Sequence, residues 1–507
     1  MKGAYRNLVA SYLGNGWAAL LGVVVMPIYI RLLGIEAIGL IGFLATLQAW
    51  LLMMDLGLPS TLNRELARSG AGQDSQEDVG NLLRTLEVIA LLVALVICML
   101  TAVFSFRIAS EWLLTENLAI ETASNALSLM GVAIALQWLS ALYRGALFGL
   151  QQHVWVGVVT GGLATVRVVG TLVVLVYVSR SVTGFVLVLV AISLLEAMLL
   201  AWRVRSSIPT RPRTGKFTMV AIKPIWRFAA AMAVIGFLGT ILTQIDKILL
   251  STLLPLDQYG YFTLAVTVAG AFSMLVVPIY NIAYPRLSAL MARNENKKLS
   301  AEYHNFSVLL SVIVLPLVLM LSLFSSEIIY LWTGDIKISG AVAPIISVLV
   351  IGTGLNGLLH IPYAAQLAHG WPKLTMTANA VAVICMIPAL LFSVPKYGAV
   401  AAAWIWVAVN SMFLLILIPL MHRRILQHER VNWYRWAVIY PTISGGAVAV
   451  AIYSLHYHIY PEGRVGQTVF LVSATAIIAI VMLAATPPGR EFLRNACLST
   501  RMRVQKT

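Results

Sequence analysis

The sequence predicts an all-α, polytopic membrane protein of about 14 transmembrane helices. They form two six-helix bundles in a parallel pseudo-two-fold repeat around a central cavity, plus two extra C-terminal helices. Three observations carry this expectation. Of 507 residues, 60% are hydrophobic and only 11% are charged, whereas an ordinary soluble domain carries about 25% charged residues. Apolar runs recur along the whole chain at the length, about 20 residues, that spans a bilayer core. Two short motifs recur at an offset of 220 to 221 residues.

The apolar runs fall at roughly 8–31, 37–59, 82–107, 119–143, 154–179, 182–203, 225–253, 257–284, 304–324, 338–363, 374–395, 398–420, 436–458 and 465–486. An even number of spans places both termini on one side. The start, Met1 to Arg6, has the basic flank of a signal peptide. The apolar stretch behind it is too long, contains Asn15 and lacks a small-residue cleavage site, so it reads as a retained first helix.

Lysine and arginine orient the spans, because positive charge resists translocation. With the N-terminus inside, the inner segments hold 27 of these residues and the outer loops 6. That bias predicts a multi-pass protein of the cytoplasmic (inner) membrane with both termini cytoplasmic. It also accounts for the net charge of +15 without a nucleic-acid partner. The basic loops would contact anionic membrane lipids. The longest, 204–224, contains Arg211-Pro212-Arg213-Thr214-Gly215-Lys216 and follows the sixth span. The expected organisation is therefore an N-terminal six-helix bundle (1–205), a basic cytoplasmic linker (206–224), a second six-helix bundle (225–422), and two additional helices with a basic tail (423–507).

The repeat sets Leu32-Leu33-Gly34-Ile35-Glu36-Ala37-Ile38-Gly39 beside Leu253-Leu254-Pro255-Leu256-Asp257-Gln258-Tyr259-Gly260. Each joins the first two spans of its half. A second set follows the fourth span of each half: Tyr143, Leu147 and Gly149 match Tyr363, Leu367 and Gly370. The offset covers six spans, an even number, so the halves share one orientation. Parallel repeats of this kind are a transporter architecture, with the substrate site at the repeat interface. Glu36 and Asp257 stand just before helix starts, where a carboxylate can cap backbone N–H groups and meet the dipole favourably.

Catalytic signatures are missing. There is no Gx4GK[ST] phosphate loop, HExxH, GxSxG or Cys/His cluster. Cys98, Cys385 and Cys497 form no CxxC pair and read as three unpaired thiols. The outer loops are too short for the catalytic site of a glycolipid polymerase or ligase. The expectation is a non-enzyme with no cofactor and no metal.

The informative residues are the charges inside spans, which are costly in lipid and face a cavity or a partner. Arg167 lies near the middle of the fifth span, too deep to snorkel. Asp246 and Lys247 lie in the seventh, about 100° apart as helix neighbours, so they are not expected simply to neutralise each other. Asp55 ends the second span, with Arg64 as a candidate partner. Glu87 and Glu196 lie nearer the inner ends of their spans, solvated or at a cavity rim. Arg144 and Arg286 end the fourth and eighth spans on the inner side, as lipid anchors or contacts for an anionic headgroup. Polar residues such as Gln48, Gln137, Asn356, His360 and Asn410 are spread through the spans. Prolines at 27, 278, 316, 344, 388 and 441 interrupt others. Both fit helices around a wet cavity, with interhelical hydrogen bonding as the competing explanation.

At this point the chain resembles a known family. The segments are Arg31 to Leu40, Asp55-Leu56-Gly57-Leu58 with Leu62-Asn63-Arg64-Glu65, and Asp246-Lys247-Ile248-Leu249-Leu250. Tyr284-Pro285-Arg286-Leu287-Ser288 and Pro362 to Gly370 add to them. In this order they resemble the Wzx-type polysaccharide flippases, in the superfamily that also holds multidrug exporters and lipid II flippases. The resemblance runs along most of residues 1–420. It implies two bundles opened alternately to either side, and a substrate made of an oligosaccharide on undecaprenyl diphosphate, an O-antigen or exopolysaccharide repeat unit. A polysaccharide polymerase and a chain-length regulator are the implied partners. By position, the cationic cavity would hold Arg167, Lys247, Arg144 and Arg286, with Asp55, Asp246, Arg64 and Glu196 as ion-coupling groups or charge partners. A lipid II flippase, a cation-coupled multidrug exporter and a non-transporting scaffold of a glycan assembly complex are the alternatives.

Overall fold

The protein was analysed as a computed structural model, which describes residues 2–53, 57–69, 76–207, 226–459, 461–491 and 494. Among these residues the chain is helical and contains no strand. Lipid offers no hydrogen-bond partners, so spanning backbone must satisfy itself within helices. Asp55, Cys497 and most of the 206–224 linker lie outside the described residues.

The chain divides into two compact units, Met1–Thr263 and Leu264–Thr507. The first contains α1 (Lys2–Leu33), α2 (Ile35–Met53), α3 (Leu58–Ser69), α4 (Gln76–Arg107), α5 (Ile120–Gly149), α6 (His153–Tyr177), α7 (Val182–Ser207), α8 (Trp226–Leu253) and the first part of α9 (Leu256–Gly270). The second contains the rest of α9, then α10 (Ser273–Ala292), α11 (Asn296–Leu323), α12 (Ser325–Thr333), α13 (Ile336–Leu358) and α14 (His360–Ala368). It continues through α15 (Lys373–Tyr397), α16 (Ala399–Met412), α17 (Ile418–Arg424), α18 (Arg430–Trp433), α19 (Tyr440–Ile459) and α20 (Arg464–Ala485).

Thirteen helical stretches among the described residues are long and apolar enough to cross a membrane. The 28-residue α8 stands where the seventh span was expected. The chain is a multi-pass membrane protein. Proline interrupts less than expected: Pro27, Pro278, Pro316, Pro344 and Pro388 all sit inside continuous helices. Neighbouring helices and local adjustments can re-satisfy the freed carbonyls. Two expected spans instead contain a tightened turn. In the eighth it lies between α9 and α10 at Ala271–Phe272, and in the tenth between α13 and α14 at Leu359.

In the first unit the two repeated turns meet backbone to backbone. A Cβ added at Gly39 would lie 2.1 Å from the Leu256 carbonyl oxygen, and one at Gly260 would lie 2.4 Å from that of Ile35. The contact is reciprocal, as a two-fold relation between the motifs demands. Further contacts gather at this end. The Leu256 N–H donates to the Leu114 carbonyl at 3.0 Å, and the Trp112 indole donates to Ser251 Oγ at 3.1 Å. Glu36 departs from the expected capping role. Its buried carboxylate accepts the backbone N–H of Glu116 at 2.7 Å and that of Asn117 at 3.0 Å, bracing the loop before α5. Asp257 stays local and accepts the Gln258 N–H at 2.6 Å.

In the second unit, α19 and α20 pack on each other and on α11. Leu471, Ile478 and Met482 join Val308, Leu315 and Phe324 in one apolar cluster. The segment entering α19 is tied to α11 by polar contacts: His304 Nε2 to Glu429 at 2.8 Å, the Trp433 indole to Ser307 at 3.1 Å, and Ser311 Oγ to the Ala437 carbonyl at 2.5 Å. Burial alone would raise the Glu429 carboxyl, but the hydrogen bond and charge of His304 hold it below the usual carboxylate range.

A side chain at position 39 has no room, whereas one at Gly22 meets nothing within 4 Å. Gly39→Val should therefore destabilise the protein by roughly 1–3 kcal/mol, the usual cost of overpacking. Gly22→Val should lower the thermal-unfolding midpoint in detergent far less; equal shifts would contradict the close contact.

Candidate functional site

Helical periodicity builds the site. On α5, Gln137, Ser140, Ala141 and Arg144 follow at i, i+3, i+4 and i+7, which is one helix face. On α6, Thr160, Leu163, Ala164 and Arg167 repeat the same spacing. On α7, Ile192 and Glu196 stand four apart. These faces converge, together with Gln48 of α2, on a cavity of about 320 Å³ within the first unit. It is the polar interior expected of spans that carry charge.

Inside it the charges differ in their state. Arg144 Nη2 pairs with Glu196 Oε1, and the two side chains are 38% and 17% exposed. The Arg144 Nε is buried without a hydrogen-bond partner, so the pair does not use all the donors of the guanidinium. Gln137 Nε2 donates to Ser193 Oγ at 3.2 Å, which fixes α5 against α7 beside the pair. Arg167 is half-buried, and among the described residues no hydrogen bond or ion pair engages it. The cavity thus contains two arginines and one glutamate, a net positive charge in a medium that stabilises unpaired charge poorly.

Of the charged residues singled out in the sequence, Arg144, Arg167 and Glu196 come together here. The others lie elsewhere. Lys247 Nζ folds back to Asp246 Oδ1 at 3.4 Å and to the Thr243 carbonyl at 2.7 Å. This corrects the expectation that these neighbours leave each other unneutralised: the flexible lysine stem spans the angle between their Cβ directions. Arg286 belongs to the second unit and pairs with Glu302. Arg64 lies 3.8 Å from Glu65. Asp55 is outside the described residues.

Glu87 also corrects its reading as solvated or at a rim. It is buried and gathers the Tyr143 hydroxyl at 2.9 Å, Arg84 at 3.4 Å and Arg205 at 3.3 Å. The i,i+3 spacing of Arg84 and Glu87 signalled half of this network; the Arg205 contact, 118 residues away, had no local signal. Among the described residues, no three His, Cys, Asp or Glu side chains stand close enough to hold a metal ion.

With the fold and cavity in place, the relatives become informative. The family model described as "Polysaccharide biosynthesis protein" matches residues 4–291, more than half of the chain. The chain belongs to this family. A Shigella flexneri protein named "Putative O-antigen transporter" is 23% identical over 407 residues, covering 79% of this chain and 93% of its own. Two solved structures share the fold. The lipid II flippase MurJ, in an inward closed conformation, superposes with a TM-score of 0.69 at 12% identity, covering 97% of this chain and 99% of its own. An inward-facing multidrug resistance transporter of the MATE family and MOP superfamily gives 0.68 at 14% identity, covering 83% and 95%. The chain thus shares its fold with both. Each of these named relatives is described as a transporter or a flippase.

The Arg144–Glu196 pair makes a measurable prediction. Glu196→Ala should cost about 1–2 kcal/mol, a charge-assisted hydrogen bond discounted for the exposure of Arg144. A double-mutant cycle with Arg144→Leu, read by thermal unfolding, should show a non-additive term; strict additivity would contradict the pairing.

Proposed function

We propose that the chain is a flippase that exports an undecaprenyl-diphosphate-linked oligosaccharide, an O-antigen or exopolysaccharide repeat unit, across the cytoplasmic membrane by alternating access. The observation that carries this reading is Arg167, a half-buried arginine with no partner among the described residues, beside the Arg144–Glu196 pair in a polar cavity. An arginine fork matches phosphate oxygens bidentately. Membership of the polysaccharide biosynthesis family and the O-antigen name of the Shigella relative supply the substrate class.

In this mechanism the diphosphate and sugars enter from the cytoplasmic side while the polyprenyl tail stays in lipid. Arg167 meets the diphosphate first. Arg144, already neutralised by Glu196, joins when the substrate charge outcompetes the carboxylate. Both termini are cytoplasmic, following the positive-inside bias. The membrane potential, inside negative, is worth about 2.3 kcal/mol per charge per 100 mV and drives an anion outward. A polysaccharide polymerase and a chain-length regulator would act on the exported product. The near-complete overlap with the MurJ fold favours lipid II as the second reading, since its diphosphate carrier presents the same anion.

Arg167→Ala should reduce export by about ten- to hundred-fold, the equivalent of the roughly 1.5–3 kcal/mol of a hydrogen bond to a charged group. The check is surface polysaccharide length and amount in a strain carrying only the variant, with membrane insertion verified by immunoblot. Normal polysaccharide would overturn the assignment.

A further inference from the structure

The second unit carries a feature that the cationic cavity does not use. Tyr280 and Tyr284 of α10 and Tyr363 of α14 form a row of near-parallel rings. The Tyr280 centroid lies 6.1 Å from that of Tyr284 and 6.2 Å from that of Tyr363, with interplanar angles of 4° and 13°. His360 stands edge-on to Tyr280 at 6.1 Å. Tyr284 and Tyr363 come from two of the segments that carry the family resemblance, Tyr284-Pro285-Arg286 and Pro362-Tyr363.

Three observations argue against simple packing. First, none of the three phenol hydroxyls makes a hydrogen bond to another described residue. Tyr284 and Tyr363 stand at the ends of the eighth and tenth spans, so these hydroxyls are open to water or a ligand. Second, α10 has two exposed sides. Ile282 is 63% exposed and, with Leu275, forms an apolar side suited to lipid. Tyr280 and Tyr284 are each two residues from Ile282, which at 100° per residue turns them to the other side; there Tyr284 is still 37% exposed. Third, the rings follow local departures from α-helical bonding in two spans. His360 and Tyr363 come directly after the tightened turn at Leu359, and Tyr280 follows the one at Ala271–Phe272. Local tightening inside a long helix often marks a functional position.

We propose that the Tyr280, Tyr284 and Tyr363 row, with His360, is a glycan-binding face for the sugar rings of the substrate. An aromatic face packs against the C–H patch of a pyranose, and phenol and imidazole groups take up its hydroxyls. The tyrosine body is apolar and its tip polar, which suits a ligand that is both. Repeat logic gives the unit-one counterpart of Tyr363 as Tyr143, which is committed to Glu87 at 2.9 Å. The corresponding position in the first unit is therefore spent on a charge network, and the aromatic face is particular to the second.

This inference rests on the flippase reading, and one experiment separates the two. Full-length protein in nanodiscs is titrated with undecaprenyl diphosphate bearing an oligosaccharide and with undecaprenyl diphosphate bearing none. For Tyr284→Leu and Tyr363→Leu, which keep apolar bulk but remove the ring, affinity for the glycosylated lipid should fall by about ten-fold while the bare lipid binds as before. Tyr284→Phe should retain most of the affinity, because it keeps the face. Thermal-unfolding midpoints verify that the variants are folded. Equal losses for both lipids, or no loss for either, would overturn the glycan face. Wild-type protein that binds neither lipid would overturn the flippase reading and this proposal with it.

Discussion

A bilayer core supplies no hydrogen-bond partners, and a charge placed there must be paired, solvated in a cavity or used. This constraint governs the chain at every level. It makes the described residues helical, and it concentrates charge at loops and in the few places where helices enclose polar space. It also separates the intramembrane charges by what they do. Lys247 is quenched by Asp246 and a backbone carbonyl, and Glu87 is locked among two arginines and a tyrosine. Arg144 is held by Glu196. Arg167 alone among the arginine and lysine residues placed within spans by the sequence has no hydrogen-bond or ion-pair partner among the described residues, and it lines the cavity.

The architecture was legible because its signals are long. Spans of about 20 apolar residues survive uncertainty at individual residues. The repeat was legible through the two turns, and the structure supplies its reason: Gly39 and Gly260 stand where two backbones approach too closely for any side chain. The convergence of Arg144, Arg167 and Glu196 was legible only in part. Depth in the membrane marked each residue, but their meeting depends on the packing of α5, α6 and α7, which span-by-span reading does not resolve. Glu36 was misjudged for a related reason. Its position at a helix start fits a cap, yet its carboxylate reaches a loop 80 residues away. Proline was over-read as an interrupter: five of the six lie within continuous helices, while the tightened turns fall at Ala271–Phe272 and Leu359, where no proline stands.

The two units carry different chemistry on related frameworks. The first holds a compact cationic cavity and the bracing contacts around the repeated turns. The second holds two spans with tightened turns, a row of tyrosines, and the two added helices fastened to α11 by both an apolar cluster and polar ties. A substrate with an anionic carrier and a neutral or polar glycan asks for both kinds of recognition, since arginine reads phosphate geometry and aromatic faces read sugar rings.

The central claim is translocation of a diphosphate-linked glycan dependent on the unpaired arginine. The direct measurement is made in proteoliposomes loaded with undecaprenyl-diphosphate-linked oligosaccharide, with the fraction of glycan exposed to an impermeant sugar-modifying reagent followed over time. Wild-type protein should move the glycan between leaflets, faster when an imposed potential drives the anion in the export direction, and Arg167→Ala protein should not. Movement at the same rate in protein-free and wild-type vesicles, or undiminished movement with Arg167→Ala, would contradict the account.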